Sequence, residues 1–207
     1  MSSTLDHLVV TAPTLSEGVD DLQRWLGVTM QPGGEHPRMG THNQLLRVGP
    51  STYLEVIAVN PEAPAPSRPR WFQLDAPTRP VPSLSTWVVR TGDIENDHRL
   101  SPVNPGAIEP MSRGDLHWKI TIPDDGRLVL DGVAPSLIQW ETPTLPADRL
   151  DDQGCTLIEL RLEHPGIDQV RALLDQIGFD GPVTLHSSDT PALSAVFSTP
   201  KGIVTLR

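Results

Sequence analysis

Apolar and polar positions along the chain fall into short strand-like and helix-like runs whose order recurs. Leu5-Asp6-His7-Leu8-Val9-Val10 is apolar and β-branched enough to predict an opening strand. Thr14-Leu15-Ser16-Glu17 follows with the spacing of a capping box, in which a hydroxyl and a carboxylate satisfy free amides at a helix start. Val19, Leu22, Trp25 and Leu26 then recur at helical spacing, and Gly27 supplies a left-handed stop. Beyond a loop around Gly33 and Gly34, residues 40–48 and 53–58 predict two further strands, and a short strand near residues 29–31 completes a βαβββ unit.

The order returns twice. Residues 156–160 lie over 4–8 and residues 165–178 over 13–27, and residues 195–198 and 202–206 can pair as a closing hairpin. A fainter middle unit opens at residues 84–89, continues at 116–122 and closes at 136–141, with a short helix between Asp93 and Leu100. The predicted fold class is therefore α+β, with a first βαβββ module over residues 1–60, a proline-rich connection over 61–83, a degenerate second module over 84–145 and a third over 150–207. A half-open sheet hides its concave face only by pairing, so the modules are expected to form one compact unit. Chance similarity among short strands competes with this reading. Agreement in module order and helix punctuation favours duplication.

Composition narrows the function. Sixteen Lys and Arg against 26 Asp and Glu leave a net charge of −10, which repels phosphate backbones and anionic lipid, so neither nucleic acid nor membrane is an expected partner. The single cysteine, Cys155, closes no intramolecular disulfide, and the N-terminus has neither the basic head nor the long apolar run of a signal peptide; a cytoplasmic location is expected. The segment P-E-A-P-A-P-S-R-P-R reads as a surface connection between modules. Paired modules leave extended sheet edges that invite a homodimer.

With His7 in the first strand, a capped helix ending at Gly27, the run G-T-H-N-Q-L-L and the closing Y-L-E-V-I-A, the chain resembles the vicinal oxygen chelate superfamily, in particular its glyoxalase-like branch. The resemblance implies paired modules forming a cup-shaped mixed-sheet barrel, often with a divalent metal held by a histidine or glutamate of the opening strand and a glutamate of the closing strand. His7 and Glu55 match those positions. Strand alternation puts Leu5, His7 and Val9 on one face, and Tyr53, Glu55 and Ile57 on one face, so both candidates are expected to look into the cup. Imidazole and carboxylate suit zinc, iron, manganese or nickel. Gln139 joins them if the middle module is the partner and Glu159 if the third is. Neither set reproduces the four-ligand pattern of glyoxalase I.

Around this pair, His36, Thr41, His42 and Asn43 can reach the cup mouth, with Asn43 a hydrogen-bond donor to a carbonyl or enolate oxygen and His42 a substrate contact. Tyr53 offers a hydroxyl, and Trp118 and Trp71 can line a pocket. Trp87 and Trp140 are placed behind the sheet by parity, and Lys119 on a solvated face. The expected function is a metal-assisted lyase or isomerase acting on a small molecule with adjacent oxygens, with Glu55 as ligand or general base. The competing readings are a non-catalytic cup that sequesters a small molecule without metal and a purely structural, dimerising protein.

Overall fold

A computed structural model of the chain describes residues 3–76 and 81–207, so residues 77–80 of the expected connection lie outside the described part. The first module runs β1 (Ser3–Thr11), α1 (Leu15–Leu26), β2 (Gln31–His36), β3 (Thr41–Arg47) and β4 (Tyr53–Val59). The second runs β5 (Ser83–Arg90), α2 (Ile94–Leu100), β6 (Ala107–Arg113), β7 (Leu116–Ile122) and β8 (Ser136–Trp140). Then come β9 (Thr156–Glu163), α3 (Ile167–Gln176), β10 (Phe179–Asp180), β11 (Val183–His186), β12 (Ala192–Thr199) and β13 (Gly202–Leu206).

Local chemistry accounts for α1. Thr14 Oγ1 accepts from the Glu17 amide at 3.2 Å, and Gly27 ends the helix at φ 73° with its amide donating to the Gln23 carbonyl. Leu22 and Leu26 are fully buried on one side, while Trp25 stays 41% exposed.

The first two modules make one curled mixed sheet in the order β2-β3-β4-β1-β5-β8-β7-β6, with β1 parallel to β4, β5 parallel to β8, and β1 antiparallel to β5. Each module reads opening strand, fourth, third, second outward from the seam, so the two are related by the β1–β5 pairing. The outermost strands β2 and β6 approach each other, and the sheet curls into a half-barrel. The third stretch repeats the order of elements along the chain but not in space. Its own sheet runs β11-β9-β12-β13, with β9 inside rather than at the end, and β10 ties it to the head of β1. The cup thus belongs to the first and second modules.

Two apolar clusters divide the molecule. Leu5, Leu8, Val10, Leu54, Val56, Trp87 and Leu137 join Leu160, Leu162 and Phe197 of the third unit behind the sheet. Val9, Ile57, Val88, Trp118, Ile120 and Ile138 fill the concave side. The connection does not stay on the surface as its prolines predict: Trp71 and Phe72, in a 3-10 turn at Trp71–Gln73, are buried in the concave cluster. Apolar transfer outweighs the turn chemistry of the surrounding prolines.

Because both sheets share one rear core, Leu160→Ala, at a fully buried position, is expected to lower the unfolding free energy of the whole chain by about 2–5 kcal/mol in a single transition. Calorimetry showing a separate low-temperature transition for the third unit would contradict this.

Candidate functional site

The opening strand does not alternate regularly. Opposite β5, Leu5 pairs with Val89 and His7 with Val88, so Asp6 is an extra residue and a β-bulge. Leu5 consequently faces the rear core while Val9 faces the cup, which corrects the expectation that Leu5, His7 and Val9 share a face. The bulge lets Asp6 accompany His7 toward the cup. Asp6, fully buried, accepts from His7 Nδ1 at 2.7 Å and from Trp140 Nε1 at 2.9 Å, and Arg90 Nη1 lies 3.6 Å from its Oδ2.

Parallel pairing of β1 with β4 sets His7 against Tyr53, whose rings stack at 4.6 Å, and Val9 against Glu55. His7 Nε2 comes 3.6 Å from Glu55 Oε2, and Asn43 Nδ2 donates to Glu55 Oε1. Glu55 is 5% exposed, and among the described residues its Oε2 accepts no hydrogen bond. A proton on Nδ1 directed at Asp6 fixes the His7 tautomer and leaves Nε2 as the nitrogen facing Glu55. Burial first, then the negative charges of Asp6 and Glu55, push the Tyr53 phenol well above its ordinary range, so it stays protonated.

The second module closes the other side. Arg113, at the end of β6, donates from Nη1 to Asn43 Oδ1 at 3.1 Å and lies 3.3 Å from His36 Nε2, while His36 Nδ1 reaches Thr41 Oγ1 at 3.2 Å. A Cβ on Gly33 would collide with the Asn43 amide, and one on Gly34, at φ 150°, would sit 2.8 Å from Arg113 Cδ. These glycines let Asn43 and Arg113 meet at the seam between β2 and β6. Burial, then the neighbouring Arg113 charge, lowers the His36 imidazole to about 3, so it accepts as a neutral ring. The base of the cup keeps a cavity of about 20 Å³, room for roughly one water.

The structure therefore brings together His7, Asn43, Tyr53, Glu55 and Trp118 from the residues the sequence singled out. It does not bring in three others. Gln139 faces the rear, where its Oε1 accepts from the Ile94 amide at the start of α2 at 2.9 Å. Its neighbours Ile138 and Trp140 face the cup instead, so Trp140 is not behind the sheet; Trp87 is, donating to the Val133 carbonyl. Glu159 lies in the other sheet and accepts from Thr184 Oγ1 at 2.6 Å. His42 has the opposite parity from the buried Thr41 and Asn43 and pairs across to Glu35. Lys119 meets Glu95 at 3.3 Å on the outside.

Four participants escaped sequence reasoning: Asp6, Arg113, Trp140 and the inward turn of Phe72. A signal existed for Arg113, because Gly114-Asp115 is a two-residue hairpin loop that places Arg113 at the end of a strand.

A resident divalent metal fits these residues poorly. Only His7 Nε2 and Glu55 Oε2 present donors to the cavity, one fewer than the three protein ligands usual for catalytic zinc. Asp6 is committed behind His7, His36 and the Asn43 carbonyl are engaged by a guanidinium, and the second module contributes Ile120, Ile138, Trp118 and Trp140. Among the described residues no group of three or more His, Cys, Asp or Glu side chains is placed to hold a metal.

The model of the glyoxalase-like domain family matches residues 5–178. Among solved structures, a hypothetical protein from Staphylococcus aureus superposes with a TM-score of 0.58 at 15% identity, covering 92% of this chain and 88% of that one. A methylmalonyl-CoA epimerase from Mycobacterium tuberculosis aligns with a TM-score of 0.42 at 15% identity, over 68% of this chain and 88% of its own. The first likeness shows a shared fold. No curated protein matches the chain. Among the described residues no helix is long and apolar enough to cross a membrane.

His36 generates a pH prediction. Its folded value lies below its ordinary 6.5, so the stability it carries is complete above pH 6.5 and is lost as pH falls toward 3. Across that window wild type should lose up to about 1.4 kcal/mol per pH unit more than His36→Gln. Parallel stability curves from urea titrations at pH 6.5, 5.5 and 4.5 would contradict the assignment.

Proposed function

Because the chain belongs to the glyoxalase-like domain family, we propose that its cup is the site of a lyase- or isomerase-type enzyme that moves a proton at a carbon next to a carbonyl in a small molecule with adjacent oxygens. The observation that carries this reading is the convergence of an under-bonded carboxylate, Glu55, with the His7 imidazole and the Arg113 guanidinium around one cavity. Glu55 Oε2 is the base. It is buried, so it is not levelled by water, and Asn43 holds its other oxygen in place.

Removing a proton beside a carbonyl leaves negative charge on oxygen. Arg113 answers that charge from the opposite side of the cup, in a water-poor site where a fixed cation counts for more than in solution. His7, with Nδ1 tied to Asp6, presents Nε2 3.6 Å from Glu55 Oε2, where it can take the proton from Glu55 and hand it back on the same side of the substrate. The stacked Tyr53 ring limits His7 to one orientation. No step in this reading runs through a metal. The second reading, a small-molecule binder without catalysis, draws on the tryptophan-lined half of the cup, where Trp118 and Trp140 lie 5.2 Å apart.

Deuterium incorporation from D2O into a panel of small 2-oxo acids, followed by NMR, separates the two. Wild type should catalyse exchange, Glu55→Gln should slow it by about 100-fold or more, and a chelator should leave the rate within about twofold. Equal exchange in Glu55→Gln would overturn the base assignment. Loss on chelation that a divalent ion restores would reinstate the metal. Binding without exchange would favour sequestration.

A further inference from the structure

The substance of the cup's filling is unusual: it comes from the connection between the modules rather than from either module. Trp71 and Phe72 stack on each other at 5.3 Å and sit over the polar base, with Trp71 edge-on to His36 at 5.1 Å. What they leave open is about 20 Å³, room for roughly one water.

Their seating carries visible costs. Phe72 and Gln73 adopt left-handed backbone at φ 54° and 57°, a region that bulky side chains avoid. Among the described residues, Trp71 Nε1 is buried with no acceptor. The polar ties of the segment to the rest of the molecule lie at its flanks: the Gln73 amide donates to the Gly126 carbonyl at 2.8 Å, and upstream Arg68 pairs with Glu109 at 2.6 Å and donates to the Pro123 carbonyl at 3.2 Å. The Arg70–Asp75 pair, at 2.6 Å, closes the turn on itself.

Beneath the pair, Arg113 is half-buried, and among the described residues no Asp or Glu is in ion-pair contact with it. A cation in such a place lacks the counter-charge that partly buried guanidinium groups usually find. The seat is therefore complementary to two features at once, a flat apolar body and an anionic head.

We propose that Trp71 and Phe72 stand in the ligand's place, and that the ligand is a carboxylate with a planar apolar body that enters by exchanging with them: its carboxylate meets Arg113 and its flat part lies against Trp118 and Trp140. The inference rests on the same cup as the proposed function but not on its proton transfer. It assigns the substrate class and makes the connection a competitor of the ligand.

Calorimetric titration of the full chain with indole-3-acetate, indole and acetate tests it. Indole-3-acetate should bind at least tenfold more tightly than indole, which lacks the charge, or acetate, which lacks the body. Arg113→Met should weaken that binding at least tenfold, and Trp71→Ala, which removes the competitor, should strengthen it at least tenfold. Unchanged affinity in Arg113→Met, or unchanged or weaker affinity in Trp71→Ala, would overturn the proposal. A second readout uses wild type alone: saturating indole-3-acetate should speed tryptic cleavage after Arg70 by expelling the segment, and slower or unchanged cleavage would overturn it. Proton exchange on 2-oxo acids without indole-3-acetate binding would remove this inference and leave the proposed function standing. Indole-3-acetate binding without exchange would do the reverse.

Discussion

Pairing of β1 with β5 joins the two modules, and the one irregularity at its head decides what the cup contains. Had β1 alternated without interruption from Leu5, Leu5 and His7 would point the same way, either both into the rear core or both into the cup. The extra residue, Asp6, separates them: Leu5 completes the apolar core, and His7 reaches the cup with Asp6 beside it. Packing and chemistry are both served by one inserted position. Bulges tolerate this because a local loss of ladder hydrogen bonds is small against the burial of an entire strand face.

Charge balance follows from that geometry. Taking a carboxylate out of water costs several kcal/mol unless donors replace the lost hydration. Asp6 has two close donors, His7 and Trp140, with Arg90 farther off, whereas Glu55 has one, Asn43, and a histidine nitrogen at 3.6 Å. The better-satisfied carboxylate is suited to positioning and the poorer one to reaction. The two halves of the cup also divide their labour. The first module supplies nearly all of the polar base. The second supplies aromatic and aliphatic wall together with a single cation, Arg113, which touches the first module through Asn43 and His36.

Much of the architecture was legible in the sequence because each element announces itself locally: the Thr14 cap, the Gly27 stop, the apolar strands and the Ala195-to-Leu206 hairpin depend on neighbouring residues. His7, Glu55 and Asn43 were legible for the same reason, as polar residues interrupting apolar strands of one module. What failed was parity carried across a distance. The bulge at Asp6 shifts one face of β1 by a residue, and the expected parity of the second module's closing strand is out by one, which sends Gln139 inward and Trp140 outward, whereas that of its opening strand, with Trp87 behind the sheet, holds. The Gly114-Asp115 hairpin marks Arg113 as a strand end, but nothing local marks its contact with Asn43 across the modules. The connection misled for a different reason: its prolines advertise an extended surface path, but two aromatic side chains outweigh them.

The central claim is that the bulge directs His7 Nδ1 to Asp6 and leaves Nε2 facing Glu55. Nitrogen-15 NMR of the His7 ring reads this directly. The account predicts that Nδ1 carries a proton in every form and that Nε2 is the nitrogen that gains and loses one, with the order disturbed in Asp6→Asn. A neutral ring protonated on Nε2 and bare on Nδ1 would contradict it.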